Sequence, residues 1–252
     1  MSAAEGRLPV RRHRCPRCER CTLHRDLCVC AWLPRVTTPF QWLLVQHASD
    51  RIRPTNTGRL AAAMVENVEV LVFADRTVAF DAARLEDPAR DYFLLFPSPE
   101  AEQLSADRLR ENEGRALTLV VLDGTWRQAA RMRRRVPQLR AMRCVRLPPA
   151  APSSWAIRHA HDPERLCTIE TVIRVIALSG REDQAWRMWE AMKWIEGRLM
   201  YMRGRRPSPP SLEDVRRELR RQPPPWRPAA AQGDVEDPPM YPGRGSNARP
   251  AV

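Results

Sequence analysis

The sequence predicts an α/β fold with a mostly parallel sheet flanked by helices. Three features predict it: short apolar runs recur along the chain, they alternate with segments of helical spacing, and they are apolar enough for strands buried on both faces. With 252 residues, 43% hydrophobic and 29% charged, the chain suits one sizeable core with appendages.

Taken in order, residues 40–48 (FQWLLVQHA) read as a buried strand, and Asn56 to Val68 as a helix opened by an Asn/Thr cap. Strand-like runs at 69–73, 92–96 and 117–122 then alternate with helical patterns at 99–112 and 125–135, the signature of βαβ units. A short strand is expected at 142–147. A helix follows Thr168, with Ile169, Val172, Ile173 and Ile176 at i, i+3, i+4 and i+7. A second helix covers 182–202, and its stripe of Met188, Met192, Ile195, Leu199 and Met202 reads as core packing. From Pro207 onward eleven of the 24 prolines accumulate, and beyond Gln222 nothing periodic survives. The expected organisation is therefore a flexible basic N-terminus (1–14), a Cys-rich lobe (15–36), an α/β domain (37–204) and an Arg/Pro-rich tail (205–252) that is mostly disordered. A short helix at 211–221 either docks or floats.

No stretch approaches the roughly 18–20 apolar residues that a membrane helix needs. The N-terminus lacks an apolar signal region, so a cytoplasmic protein without membrane contact is expected, and a monomer. The net charge is +12, and Lys193 is the only lysine among 42 basic residues. Such a charge points to a polyanionic partner, with nucleic acid ahead of a membrane surface.

Five of the seven cysteines (Cys15, Cys18, Cys21, Cys28 and Cys30) fall within sixteen residues. In a reducing compartment CxxC followed by CxC surrounds one tetrahedral Zn²⁺, which takes four thiolates in structural sites. Cys18, Cys21, Cys28 and Cys30 form one such quartet. Cys15, Cys18, Cys28 and Cys30 form another, and spacing leaves both open. Cys144 and Cys167 lie in apolar surroundings and read as small core residues.

Rossmann, P-loop and nucleophile-elbow fingerprints are absent. What stands out is Asp123-Gly124-Thr125-Trp126, at the carboxyl end of an apolar strand and the start of a helix, the edge where open α/β sheets bind ligands. Asp123 is the only carboxylate between Glu113 and Asp162, in an arginine-rich stretch. It is a candidate catalytic group or a helix cap. Arg127, Arg131 and Arg134 recur at i, i+4 and i+7 on the following helix, with no acid there to offset them, and suit RNA phosphates. Polar residues also cluster after two other strands: Gln46-His47 with Asn56, Thr57, Gly58 and Arg59, and Ser154-Trp155 with Arg158, then Thr168 and Glu170. Asn56 and Thr168 also read as caps, and His47 as a hydrogen-bonded core histidine. Glu170 heads an apolar helix, where the dipole favours a carboxylate.

Over residues 15–202 the chain resembles the DTW-domain proteins, tRNA-uridine aminocarboxypropyltransferases. The resemblance rests on CERCTLHRDLCVC, QHASDRIRPTNTGRLA, LFPSPEA, LDGTWRQAARM, LPPAAPSSWAIRH and LCTIETV, in the family's order. It selects Cys18, Cys21, Cys28 and Cys30 as the zinc ligands, with Cys15 an extra. It implies a SPOUT-like, knotted fold, S-adenosylmethionine as donor, tRNA as partner, and transfer of a 3-amino-3-carboxypropyl group to uridine N3 with release of methylthioadenosine. By the resemblance, Asn56, Thr57, Gly58, Arg59, Asp123, Thr125, Trp126, Ser154, Arg158, Thr168 and Glu170 hold the donor, and Asp123 is general base or orienter. Arg59 and Arg158 hold the donor carboxylate or an RNA phosphate. Trp155 departs from the family's usual Tyr and supplies no hydroxyl. Two other readings stand beside this one: a SPOUT-type methyltransferase with the same donor, and a non-catalytic zinc-containing RNA-binding module.

Overall fold

A computed structural model describes residues 16–110, 115–157, 166–222 and 224–227. The N-terminal basic segment, Cys15, Arg158 and the chain from 228 onward lie outside the described residues.

The chain enters through two short 3-10 turns, Arg25–Leu27 and Cys30–Trp32, and then forms β1 (Gln41–His47), α1 (Ala48–Arg51), α2 (Thr57–Met64) and β2 (Val68–Phe73). There follow β3 (Arg90–Leu95), β4 (Glu102–Gln103), β5 (Ala116–Asp123), α3 (Trp126–Arg135), α4 (Pro137–Ala141) and β6 (Arg143–Arg146). The long helices α5 (Thr168–Leu178) and α6 (Glu182–Met202) and the short α7 (Leu212–Leu219) complete it. All six strands run parallel in the order β2-β1-β5-β3-β6-β4. β5 thus lies in the middle with Gln46 beside Asp123 in register, and the polar residues after β1 and β5 emerge at one sheet edge.

Alternate residues of the central strands feed two cores, which explains why these strands read as unbroken apolar runs. Trp42 and Leu44 of β1 and Leu117, Leu119 and Val121 of β5 meet α2, α5 and α6 on one face. Leu43, Val45, Val120 and Leu122 meet Ala129 and Met132 of α3 and Leu139 of α4 on the other. The stripe on α6 packs as expected: Met188, Met192, Ile195 and Leu199 are buried. α7 docks through Val215 and Leu219, helped by a Trp194 Nε1 bond to the Pro210 carbonyl (2.9 Å) and an edge contact of Trp226 on Trp189.

The structure corrects three expectations. The described part of the expected 99–112 helix, residues 99–110, forms no helix. Its backbone at 102–104 pairs with β6 instead: Glu102 and Gln103 add an edge strand and Leu104 N–H donates to Arg146 O, while Pro97 and Pro99 block a helical start. α2 stops at Met64 rather than Val68, because Val65 turns extended and pairs with Val36 in a parallel bridge. Cys144 is a core residue, but Cys167 is half-buried and caps α5 at a cleft. Among the described residues no helix is long and apolar enough to cross a membrane.

Candidate active site and metal centre

Asp123 ends β5 with its side chain 2% exposed, and both oxygens are taken. Oδ2 accepts from Gln46 Nε2 (2.7 Å) and Asn56 Nδ2 (2.6 Å), and Oδ1 accepts from Thr168 Oγ1 (2.7 Å). This carboxylate therefore ties the end of β1 and the starts of α2 and α5 to the end of β5. Asn56 is the hub of the network. Its Nδ2 also reaches buried Asp50 (3.1 Å), while its Oδ1 accepts from Gln46 (3.1 Å) and caps α2 at Arg59 N–H (2.7 Å).

Gly58 is required by this arrangement. A Cβ there would stand 2.3 Å from Asp123 Cγ and 2.5 Å from both its oxygens. Gly58→Ala is expected to push Asp123 out of its network and to destabilise the protein by about 1–3 kcal/mol, the usual cost of overpacking. Thermal melting checks this, the expected result being a lower midpoint.

Beside Asp123 opens a small cleft of ≈ 70 Å³. Phe96 and Trp126, with rings 6.3 Å apart, line it together with Leu95, Thr57, Cys167 and Thr168. The N-termini of α2, α3 and α5 converge here. α3 opens with a capping box in which Thr125 N–H donates to Gln128 Oε1 (2.7 Å) and Gln128 N–H to Thr125 Oγ1 (3.3 Å). Arg59 is half-buried and forms no ion pair among the described residues. Burial and the nearby Arg51 draw its guanidinium pKa down, against the pull of Asp123 and Asp50. His47 is half-buried beside Phe73, with Nδ1 against Ser49 Oγ (3.0 Å), and burial and Arg131 lower its pKa.

Ser154 and Glu170 bond in a network separate from that of Asp123. Glu170 is buried and accepts from Ser153 Oγ (2.6 Å), Ser154 N–H (2.6 Å), Ser154 Oγ (3.2 Å) and Cys167 N–H (3.1 Å). It staples the loop before α5 to that helix. Four more charged side chains grip the same loop by its backbone. Arg174 donates to Ala151 O (2.5 Å), Lys193 to Ser154 O (2.8 Å) and Arg203 to Ile157 O (3.1 Å), while Glu196 accepts from Ala156 N–H (2.5 Å). Glu196 also pairs with Lys193, and burial pushes its carboxyl pKa up. Trp155 is 4% exposed and belongs to the main core.

Sequence reasoning passed over Asp50, Phe96 and this set of loop staples, and read Cys167 only as a core residue. Lys193 carried a signal: the single lysine of an otherwise all-arginine chain sits where a compact ammonium reaches a carbonyl and a carboxylate at once.

On α3, Arg127, Arg131 and Arg134 are exposed and have no acidic partner among the described residues, whereas Arg133 pairs with Glu100 (2.5 Å) and lies over Phe96. The sequence expectation that this face holds RNA predicts that replacing the three by Gln weakens RNA binding and reduces the log–log salt slope by about 0.7–0.9 for each phosphate that is no longer neutralised. Titrations across a salt series check it. An unchanged slope would exclude the three from the RNA interface.

The cysteine lobe brings Cys18, Cys21, Cys28 and Cys30 together, with all four Sγ atoms within 4.8 Å of one another. The Cys18–Cys30 and Cys21–Cys28 pairs are each separated by 3.7 Å. A tetrahedral Zn–S₄ site with bonds of about 2.3 Å has sulfur edges of about 3.8 Å, the separation of these two pairs. A hydrogen bond from Cys30 lowers the Cys21 thiol pKa. Burial raises that of Cys28, and the bond to Cys21 together with burial raises that of Cys30. A cation is what would allow all four to ionise together.

A family model, the DTW domain, matches residues 15–198. Among curated proteins, tRNA-uridine aminocarboxypropyltransferase 2 of Drosophila melanogaster is 27% identical over 180 residues, covering 68% of each chain. The Mus musculus protein of the same name is 28% identical over 180 residues, covering 68% of this chain and 59% of that protein. Among solved structures, the SAM-dependent rRNA:acp-transferase Tsr3 from Vulcanisaeta distributa aligns with a TM-score of 0.42 at 16% identity, covering 71% of this chain and 88% of that one. With the model spanning the cysteine lobe, the Asp123 network and most of α6, the chain belongs to the DTW-domain family.

Proposed function

We propose that this chain is a tRNA-uridine aminocarboxypropyltransferase that uses S-adenosylmethionine as donor. The observation that carries the reading is the buried carboxylate of Asp123, cross-linking three segments beside an aromatic-walled cleft, in a chain of the DTW-domain family. Support also comes from the names of the fly and mouse relatives.

In this reaction uridine N3 forms a bond to the methionine Cγ as the Cγ–S bond breaks. Sulfur keeps the electron pair and leaves as the neutral thioether methylthioadenosine, while N3 releases its proton. The donor is activated by its own positive sulfur, so the protein's task is to present Cγ rather than the methyl carbon in line with N3. In this reading Phe96 and Trp126 form apolar walls for the donor. The helix N-termini with Arg59 favour its carboxylate. Asp123, with both oxygens occupied and little exposure, serves as orienter rather than base, because a general base needs an oxygen within reach of the proton. Cys18, Cys21, Cys28 and Cys30 hold a structural Zn²⁺, which suits a reducing compartment such as the cytoplasm. Arg127, Arg131 and Arg134 grip RNA.

The test is the fate of the donor. Purified protein with S-adenosylmethionine and unmodified tRNA is expected to release methylthioadenosine. Release of S-adenosylhomocysteine would show methyl transfer instead, and tRNA binding with no donor turnover would leave a binding module.

A further inference from the structure

Thr22 sits between Cys21 and Leu23 with φ 63°. Glycine occupies this left-handed region freely, but for a β-branched residue it is a genuine outlier, and such strain persists only where the surroundings enforce it. The turn itself does not use the side chain. Its backbone N–H donates to Cys18 O (2.8 Å), and its carbonyl accepts from Arg17 (2.9 Å). What threonine adds is a hydroxyl, whose Oγ1 donates to Pro54 O at 2.7 Å and also approaches Cys21 O at 2.6 Å.

Pro54 lies between α1 and α2, in the segment that joins Asp50 of α1 to Asn56, the hub of the candidate site. Asp50 anchors the loop's start with no exposed surface, and Asn56 ends it and holds Asp123. Along this segment Arg53 N–H donates to Asp50 O and Asn56 N–H to Arg53 O, so backbone bonds link Asp50 to Asn56. A continuous path of hydrogen bonds and short covalent links thus runs from the cysteine lobe through Thr22, Pro54 and Asn56 to Asp123. The lobe is braced independently against α2 by Arg20, which donates to Ala63 O (2.6 Å), so it presents Thr22 from a fixed platform.

We propose that Thr22 is a positioning residue for the donor site: its hydroxyl fixes the 50–56 loop against the cysteine lobe, and thereby sets where Asn56 presents its amide to Asp123. The proposal rests on the reading of the cleft as the donor site. It gives the strain a purpose, because glycine would fold the turn at lower cost but could not reach Pro54.

Three variants of the full chain test it. Thr22→Gly removes strain and hydroxyl together. Thr22→Ala removes the hydroxyl while keeping a Cβ, so that added backbone freedom is not mistaken for the effect, and Thr22→Ser keeps the hydroxyl. The readouts are metal content, melting temperature, hydrogen exchange of residues 50–59, and S-adenosylmethionine affinity by calorimetry. Thr22→Gly and Thr22→Ala are expected to keep metal, to melt within about 6 °C of the wild type, to exchange faster in 50–59 and to bind the donor roughly tenfold more weakly, the scale of one hydrogen bond. Thr22→Ser is expected to match the wild type. Wild-type exchange in the Ala variant, failure of serine to restore protection, or loss of metal and stability in the Gly variant would each overturn the proposal. If the wild type itself binds no donor, the donor-site reading fails, and the exchange data still decide whether Thr22 holds the loop.

Discussion

Asp123→Ala is expected to abolish donor binding and to lower stability by about 3 kcal/mol, near the bottom of the range for leaving three buried donors without their acceptor at about 1–3 kcal/mol each. The lower end applies because two of the donors have second partners: Gln46 Nε2 retains Asn56 Oδ1 (3.1 Å), and Asn56 Nδ2 retains Asp50 Oδ2 (3.1 Å). For a domain of this size the melting temperature should fall by about 6–12 °C. Asp123→Asn should behave differently. Its carbonyl oxygen can keep both amide donors while its NH₂ donates to Thr168 Oγ1, which as a hydroxyl also accepts. The network then survives within about 1.5 kcal/mol of the wild type. As an orienter, Asp123→Asn should keep measurable donor binding and lose much less rate than Asp123→Ala. Full donor binding in the Asn variant with activity as low as in the Ala variant would instead assign Asp123 to proton removal.

The central strands were legible, though not their order, because strands buried on both faces leave an unmistakable apolar run, as in 40–48 and 117–122. Likewise the 182–202 helix follows from its methionine stripe, and α6 has those limits. The 99–112 pattern misled because Ala101, Leu104 and Leu109 are all buried, yet the backbone at 102–104 bonds to a neighbouring strand, a choice made by tertiary structure and not by spacing. At the site, motif order singled out Asn56, Gly58, Asp123 and Thr168, but not what they do to each other. Only three dimensions show that Gly58 is glycine to admit Asp123, that Asn56 joins two carboxylates, and that Glu170 is consumed in stapling a loop. Asp50 was passed over and Cys167 read only as a core residue because each looks locally ordinary, a residue in a short helix and a small residue in an apolar stretch.

Removing metal from the cysteine lobe is expected to have the other large effect. Cys21, Leu23 and Val29 have no exposed surface and belong to the main core, so opening the cage exposes the core edge beneath it. Structural zinc contributes apparent binding free energies of about 10–16 kcal/mol in small zinc-dependent folds, far more than a lobe of this size gains from its own burial. A strong chelator, or Cys21→Ser, should therefore release one zinc per chain and unfold the lobe, read as metal content and as lower exchange protection over residues 16–36. Cys15→Ser should leave the metal in place, deciding between the two quartets in favour of Cys18, Cys21, Cys28 and Cys30. Metal retained in Cys21→Ser but absent from Cys15→Ser would reverse that choice.

The most direct test of the central claim is the mass of the product nucleosides. tRNA from a strain lacking this gene, incubated with the purified chain and S-adenosylmethionine and then digested, should yield a uridine heavier by one 3-amino-3-carboxypropyl group, and Asp123→Ala should yield none. A methylated nucleoside, or no modified nucleoside from wild-type protein that binds both donor and tRNA, would contradict it.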